Sequence, residues 1–238
     1  SRLRISRDAI LAARTVNLVP TVFSMAARDE RVSEPQRRLI ANAIDRRLCA
    51  GLGERFQVVP LTEQADLTVH AVVTRMTATD ETAVGVSKVA SIAKSVLLPG
   101  VPVPVPRIPI GLGSLSVEAE ARARDGTQQA AMVWGRGASV LDGGARVSSS
   151  GDAYELSSAF GDDFSRMLVR GESPFNGVWS PPSIQKVQTF LGGAPKHDAC
   201  AVFGREPGFG GFVGGMVGAP PEWTDNGLAD TTVAAQAR

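Results

Sequence analysis

The chain of 238 residues has an ordinary globular composition, with 43% hydrophobic and 21% charged residues. Its 25 Lys and Arg nearly balance its 24 Asp and Glu, giving a formal net charge of +1. It therefore lacks the basic excess typical of proteins that bind nucleic acid or anionic membranes. No stretch reaches the roughly 18 apolar residues that a membrane-spanning helix needs. We expect no nucleic-acid partner and no transmembrane segment.

Three strands are predicted in the first third of the chain. Residues 15–23 (TVNLVPTVF) form the first, with Pro20 at an edge or a bulge because proline cannot donate to a sheet. Residues 55–61 form a short second strand. In residues 66–76 (DLTVHAVVTRM) apolar and polar side chains alternate, which is typical of a half-buried strand.

The helix between the first two strands has clear signals at both ends. Ser33 and Gln36 form an S-x-x-Q capping box at its start, and Gly51 and Gly53 end it. Its apolar side chains share one face of the helix, and Cys49 points away from that face. The residues of this face are Leu39, Ile40, Ala43, Ile44 and Leu48.

The middle of the chain predicts a helix, a hairpin and a second long helix. A helix of small residues covers 86–98. Residues 115–122 and 129–137 form a hairpin, since Asp125-Gly126 between them is a strong turn signal. A helix begins near Asp152 as N-cap, with Glu155 three residues on, and stops near Gly171. This order predicts an α+β domain over residues 1–171, in which helices cover a mostly antiparallel sheet.

Residues 172–238 differ in character. They hold 7 of the 15 prolines and 11 of the 25 glycines, but also 7 of the 13 aromatic residues. Disordered tails are poor in aromatic residues. We therefore expect an extended appendage, with one short helix at about 183–191, that packs on the domain or on a partner.

A proline-studded stretch, PGVPVPVPRIPIGLG, occupies residues 99–113. Alternating Val and Pro favours a stiff, extended segment without internal hydrogen bonds and excludes a central sheet strand. Such a segment is either a rigid connector from the end of a helix to the start of a strand or an exposed apolar arm that docks on a protein or dips into a membrane surface. The predicted partner-binding residues in it are Val101, Pro102, Val103, Pro104, Val105, Pro106 and Ile108.

A second candidate for partner binding is the glycine-rich run GFGGFVGGMVG at 208–218. It is too short to span a bilayer as a helix. We expect an apolar ribbon that lies against the domain, against a partner or against a lipid surface. Its candidate contact residues are Phe209, Phe212 and Met216.

Catalytic and metal-binding signals are weak. His70 lies in the middle of a strand, and Glu118 and Glu120 share one strand face at a spacing compatible with a glycosidase-like carboxylate pair. His197, Asp198 and Cys200 lie close together in sequence, but a structural metal site normally needs four ligands. The glycine motifs do not match phosphate-binding loops. We assign no catalytic residue, no metal and no cofactor.

Several segments together resemble a bacterial family, the domain of unknown function thirty-three-thirteen, in an alphaproteobacterial form. The matching stretches include ARTVNLVPTVF at 13–23, RRLIANAIDRRLCAGLGERFQVV at 37–59 and GDAYELSSAFGDDFSRMLVRGESPF at 151–175. The resemblance covers roughly residues 13 to 226. It implies an envelope lipoprotein at the outer membrane, facing the periplasm and anchored through a lipidated cysteine upstream of Ser1.

The resemblance also changes what we expect of the only two cysteines. Because the periplasm is oxidising, Cys49 and Cys200 are predicted to form a disulfide. The position of Cys49 on its helix agrees, since a returning tail could cover it there. The alternative is two separate buried thiols.

These inferences combine into one functional prediction. The chain is expected to be a non-enzymatic periplasmic module, associated with the outer membrane, that contacts other envelope proteins or its own copies. One alternative is a carrier or sensor that binds an apolar ligand between the 86–98 helix and the sheet. A second is a hydrolase that uses His70 or the Glu118 and Glu120 pair.

Overall fold

One mixed sheet with helices on one face organises the chain, as seen in a computed structural model that describes residues 1–80, 112–138, 148–176, 191–217 and 219–225. The strands are β1 (Arg2–Ile5), β2 (Thr15–Leu18), β3 (Val22–Phe23), β4 (Gln57–Val58), β5 (Leu67–Thr77), β6 (Ser114–Ala123) and β7 (Gln128–Gly137). The helices are α1 (Arg7–Ala12), α2 (Glu34–Leu52), α3 (Gly151–Arg170), α4 (Gly208–Val217) and α5 (Pro221–Thr224), with 3₁₀ turns at Met25–Ala27 and Asp198–Phe203.

Some predictions fall outside these residues. The predicted helix at 86–98 and the seven partner-binding residues of the proline-rich stretch, Val101 to Ile108, lie outside the described residues. The helix expected at about 183–191 also lies outside the described residues, except for its last residue.

The α+β class is confirmed, but the prediction of a mostly antiparallel sheet is wrong. The strand order is β1-β7-β6-β5-β2-β4, and β3 pairs with β5 beside β2. Strands β1, β7, β6 and β5 pair antiparallel, whereas β2 and β3 pair parallel to β5, and β4 pairs parallel to β2. The reason is α2, which carries the chain from β3 back across the sheet and so allows parallel pairing.

The predicted hairpin is confirmed. Gly126 has a φ of +83°, which the tight turn between β6 and β7 requires. The N–H of Ala123 donates to the carbonyl of Thr127 at 2.9 Å and closes the turn. Along β5 and β6 the side chains alternate between a buried and an open face.

The capping box of α2 is also confirmed. The Gln36 N–H donates to Ser33 Oγ at 3.4 Å, and the Ser33 N–H donates to Gln36 Oε1 at 2.8 Å. At α3 the predicted cap is wrong, because the N-cap residue is Ser150 and Asp152 lies inside the first turn. The Asp152 carboxylate instead accepts the N–H of Gly113 at 2.7 Å, which fixes the chain just before β6.

Helices α2 and α3 pack on the buried face of the sheet. Trp134 of β7 meets the Phe160 ring edge-on at 5.7 Å, and Phe160 stacks with Phe164 at 6.0 Å. The two helices approach closely at Gly51, where a Cβ atom would lie 2.5 Å from the Ser165 Cβ. A side chain at position 51 would therefore collide with α3.

A buried carboxylate accepts hydrogen bonds from the chain where it passes from β2 to β3. The single strand predicted at 15–23, with Pro20 at an edge or a bulge, is instead broken at Pro20 into β2 and β3, and Thr21 follows the break. Asp45 of α2, which is 1% exposed, accepts the Thr21 N–H at 3.0 Å and the Thr21 hydroxyl at 2.6 Å. Asp45 thereby replaces the sheet partners that the broken strand lacks.

Asp45 predicts a pH dependence of stability. Burial raises its pKa to about 7, against the opposing effect of the hydrogen bonds from Thr21. In the unfolded chain an aspartate has a pKa of about 3.9. Between these values the folded state binds more protons, so the stability that this carboxyl contributes is full below about pH 4 and is lost as pH rises through 7.

We therefore expect Asp45→Asn to flatten the free energy of unfolding between pH 4 and pH 7, measured by urea denaturation. Asp8→Asn, on the exposed side of α1, should leave the pH profile of the natural chain unchanged. If the free energy of unfolding had the same pH dependence in Asp45→Asn and in the natural chain, Asp45 would not be the cause of that dependence.

Candidate functional site

The predicted disulfide joins α2 to the C-terminal part of the chain. Cys49 bonds Cys200, which lies in the 3₁₀ turn, across 151 residues of sequence and with 5.8 Å between the Cα atoms. Both residues are buried. We name residues 191–217 and 219–225 the C-terminal strap, because this bond fastens them across α2.

An ion pair without solvent access fastens the end of the strap. Arg46 Nη2 bonds Asp225 Oδ2, and the side chains are 3% and 0% exposed. The Tyr154 hydroxyl of α3 donates to the same oxygen at 2.6 Å. Burial alone would lower the pKa of Arg46, but the carboxylates of Asp225 and Glu206 outweigh it and raise that pKa. The guanidinium is therefore a permanent charge in the protein interior.

Two further contacts join the strap to α2. Arg47 and Glu206 form an ion pair at 3.8 Å, with each side chain 10% exposed. Lys196 Nζ donates to the carbonyl of Gly53, just beyond the end of α2, at 2.7 Å. A cation is favourable there because the carbonyls at a helix C-terminus carry partial negative charge.

Glu222 forms a third anchor, at the start of α3. Its Oε1 accepts from Gln36 Nε2 at 2.7 Å and from the hydroxyls of Ser148 and Ser150 at 2.8 Å each. Partial burial acts to raise the pKa of Glu222, but its hydrogen bonds outweigh this and lower the pKa. Gln36 thus caps α2 with its carbonyl oxygen and holds the strap with its amide nitrogen.

The glycine-rich run is a helix, so the prediction of an extended ribbon is wrong. It forms α4, and α5 packs beside it, with Thr224 Cγ2 2.4 Å from the position a Cβ on Gly214 would take. Glycine at this position lets the two short helices touch. Among the predicted contact residues Phe209 is 70% exposed, and the side chains of Phe212 and Met216 lie outside the described part.

The strap displays large apolar side chains to solvent. Phe209 and Val213 lie one turn apart on α4 and are 70% and 39% exposed, and Trp223 on α5 is 76% exposed. These side chains project from a segment that a disulfide and a buried ion pair hold in place. The strap thus presents fixed apolar groups.

The candidate catalytic residues meet on the other face of the sheet, which no described helix covers. His70 of β5 pairs with Glu120 of β6, and Glu118 pairs with Val72. They line a shallow concavity of about 600 Å³. Glu120 accepts from Arg122 Nε at 2.7 Å and from Gln128 Nε2 at 2.6 Å, and the bond from Arg122 is the main cause that lowers its pKa. Glu120 is therefore suited to binding a cation and poorly suited to donating a proton.

His197, Asp198 and Cys200, which lie close together in sequence, do not form a metal site. Among the described residues no cluster of three or more His, Cys, Asp and Glu is placed to hold a metal ion. Cys200 is consumed by the disulfide. His197 lies over the end of α2, with its Cδ2 3.0 Å from the position of a Cβ on Gly53. No helix within the described residues has the length and hydropathy to cross a bilayer.

A family model described as "Protein of unknown function (DUF3313)" matches residues 1–164, from β1 into α3. The chain belongs to the DUF3313 family. The match ends before the strap, so Cys49 lies within the DUF3313 region and Cys200 lies beyond it.

Two solved structures show weak similarity. Both are titled as dodecamers of PelC from Paraburkholderia phytofirmans, and the second contains a single-substitution variant. The first has 10% identity and a TM-score of 0.37 over 73% of this chain and 99% of its own. The second has 13% identity and a TM-score of 0.35 over 68% and 92%. Scores this low do not establish a common fold. A search of curated proteins found no match.

Sequence reasoning missed the buried charges under the strap. Asp45, Arg46 and Arg47 are charged residues that would be expected in solvent, yet all three are buried. One signal was available. Arg46 lies three residues before Cys49 on the same side of α2, so a disulfide that covers Cys49 must also cover Arg46.

We expect the disulfide to contribute strongly to stability, since its loop is very long. In the chain-entropy model a loop of about 150 residues corresponds to about 5 kcal/mol as an upper value. Reductant should lower the free energy of unfolding of the natural chain in urea. It should have no effect on the Cys49→Ala/Cys200→Ala variant, which is the control. Equal stability of the natural chain with and without reductant would contradict a structural role.

The buried ion pair makes a second prediction. Asp225→Asn removes the charge opposite Arg46 and should cost about 3–5 kcal/mol in the free energy of unfolding. Replacing both partners, as Arg46→Met/Asp225→Leu, should cost much less because no charge remains buried. Urea denaturation of both variants decides the point. A single variant no less stable than the double variant would show that the pair is not desolvated in solution.

Proposed function

We propose that this protein is a non-enzymatic interaction subunit of an assembly in the bacterial envelope, in the periplasm and associated with the outer membrane. The observation that carries the proposal is the strap, which holds exposed Phe209 and Trp223 on a covalently fastened frame. Trp and other aromatic residues are enriched at protein interfaces and dominate their binding energy.

Preorganisation supports a binding role for the strap. A segment that must order on binding loses part of its binding energy to conformational entropy. Here the disulfide, the Arg46–Asp225 pair and the contacts of Glu222 order it beforehand. A surface that served only solubility would place polar side chains at these positions.

The disulfide supports the compartment. Such bonds persist in oxidising compartments such as the periplasm and are rare in the cytosol. Outer-membrane association through a lipidated cysteine upstream of Ser1 is the finer part of the proposal and comes from the family resemblance. The partners are other envelope proteins or further copies of this chain.

Site-specific photocrosslinking in cells that make the protein tests the proposal. A photoreactive amino acid at Phe209 or Trp223 should capture the same protein, and one at exposed Arg38 on α2 should not. The variant Phe209→Ser/Trp223→Ser should abolish co-purification of that protein. If all three positions give the same adducts, the strap is not an interaction surface. Free thiols at Cys49 and Cys200 in the same sample would contradict the periplasmic location.

A further inference from the structure

A row of outward-facing side chains crosses the face of the sheet that no described helix covers. Arg2 of the edge strand β1 pairs with Val133 of β7, and Val133 pairs with Glu118 of β6. Directly opposed residues in antiparallel strands point to the same face. The row thus places a cation, an apolar side chain and an anion on three successive strands.

The next row repeats this order. Arg4 pairs with Ala131, and Ala131 pairs with Glu120. In both rows the cation lies on β1, the small or apolar side chain on β7 and the anion on β6. The face therefore carries a positive edge, an apolar centre and a negative flank.

The two charged side chains of the first row have no protein partner within the described chain. Arg2 and Glu118 are exposed, and neither has an ion pair or a hydrogen-bond partner there. Strand β7 lies between them, so their backbones are about 10 Å apart, twice the strand spacing. Between them Val133 is 51% exposed, unlike its neighbours Met132 and Trp134, which are buried in the core.

This pattern is complementary to itself. Consider a two-fold axis that runs parallel to β7 and lies just above it. Rotation about this axis places β7 over the partner's β7 and β1 over the partner's β6, and it preserves position along the strands. Arg2 then faces a second Glu118, Arg4 faces a second Glu120, and Val133 faces Val133 of the other copy. An interface of this kind is isologous, as in most protein dimers.

We infer that the open face of the sheet binds a second copy of this chain about a two-fold axis along β7. Sheets that pack face to face keep their strands nearly aligned and lie about 10 Å apart, a gap that Arg and Glu side chains can bridge. Val133 and Ala131 form the apolar centre, and the Arg–Glu pairs flank it. His70 and Val72 on β5 lie at the rim, beyond the edge strand of the other copy.

The dimer deepens the proposed function, since it names one partner, but it uses a different surface from the strap. Glu120 is already engaged by Arg122 and Gln128. Arg2 and Glu118 therefore give the clearest test. Both are on exposed strand positions, so their reversal should leave the fold intact.

Charge reversal with analytical ultracentrifugation tests the dimer. Arg2→Glu and Glu118→Arg should each weaken dimerisation roughly 10- to 100-fold, because like charges then face each other twice. An equimolar mixture of the two variants should form heterodimers, since each interface then holds opposite charges. The control Arg38→Glu makes the same charge change on α2 and should dimerise as the natural chain does.

Cross-linking tests the axis itself. The described part of the chain has no free cysteine and both cysteines of the sequence are in the disulfide, so Val133→Cys introduces a single thiol. A short bis-maleimide should join two copies at this position, and it should not do so for the control Arg38→Cys on α2.

Three results would overturn the inference. These are a monomer at all concentrations, a dimer that both reversals leave unchanged, and a failure of the mixed variants to associate. A monomer that still gives strap adducts at Phe209 and Trp223 would overturn the dimer and leave the proposed function standing. A dimer whose strap gives no adducts would overturn the proposed function of the strap and leave the dimer standing.

Discussion

The last turns of helix α2 are buried on every side, and the rest of the structure depends on this constraint. Five consecutive residues, from Asp45 to Cys49, are each at most 8% exposed. Apolar members face the sheet and α3, while the polar members must find partners because an unpaired buried charge is very costly. Asp45 finds its partner at the broken strand, and Arg46 and Arg47 find theirs in the strap. The strap is therefore part of the interior.

Sequence reasoning succeeded where a local pattern has a local cause. The capping box, the Asp125-Gly126 turn and the alternation in β5 each depend on neighbouring residues, and each is confirmed. The disulfide was predicted on other grounds, because only the resemblance to an envelope family made oxidation of Cys49 and Cys200 the expected state. Proline lacks an N–H, so an irregularity at Pro20 was expected, but as an edge or a bulge within one strand and not as a break into two.

It failed where a residue's role depends on a distant partner. Asp152 has the composition and spacing of an N-cap, but its carboxylate binds Gly113, 39 residues away in sequence. Parallel pairing of β2 with β5 depends on where α2 returns the chain, which periodicity does not reveal. The partners of Arg46 and Gln36 lie 179 and 186 residues ahead, in the strap. The Arg2, Val133 and Glu118 row exists only once strand register is known.

The span of the disulfide has a consequence for how the chain matures. Cys49 is synthesised 151 residues before Cys200, so its thiol must remain unpaired until most of the chain has emerged. With two cysteines among residues 1–238, one disulfide is possible within this part of the chain. Bonds between Cys49 residues of different molecules compete with it, and their frequency rises with the concentration of newly made chains. Correct oxidation within residues 1–238 therefore needs no isomerase to reshuffle bonds, only a delay before the first encounter with an oxidant.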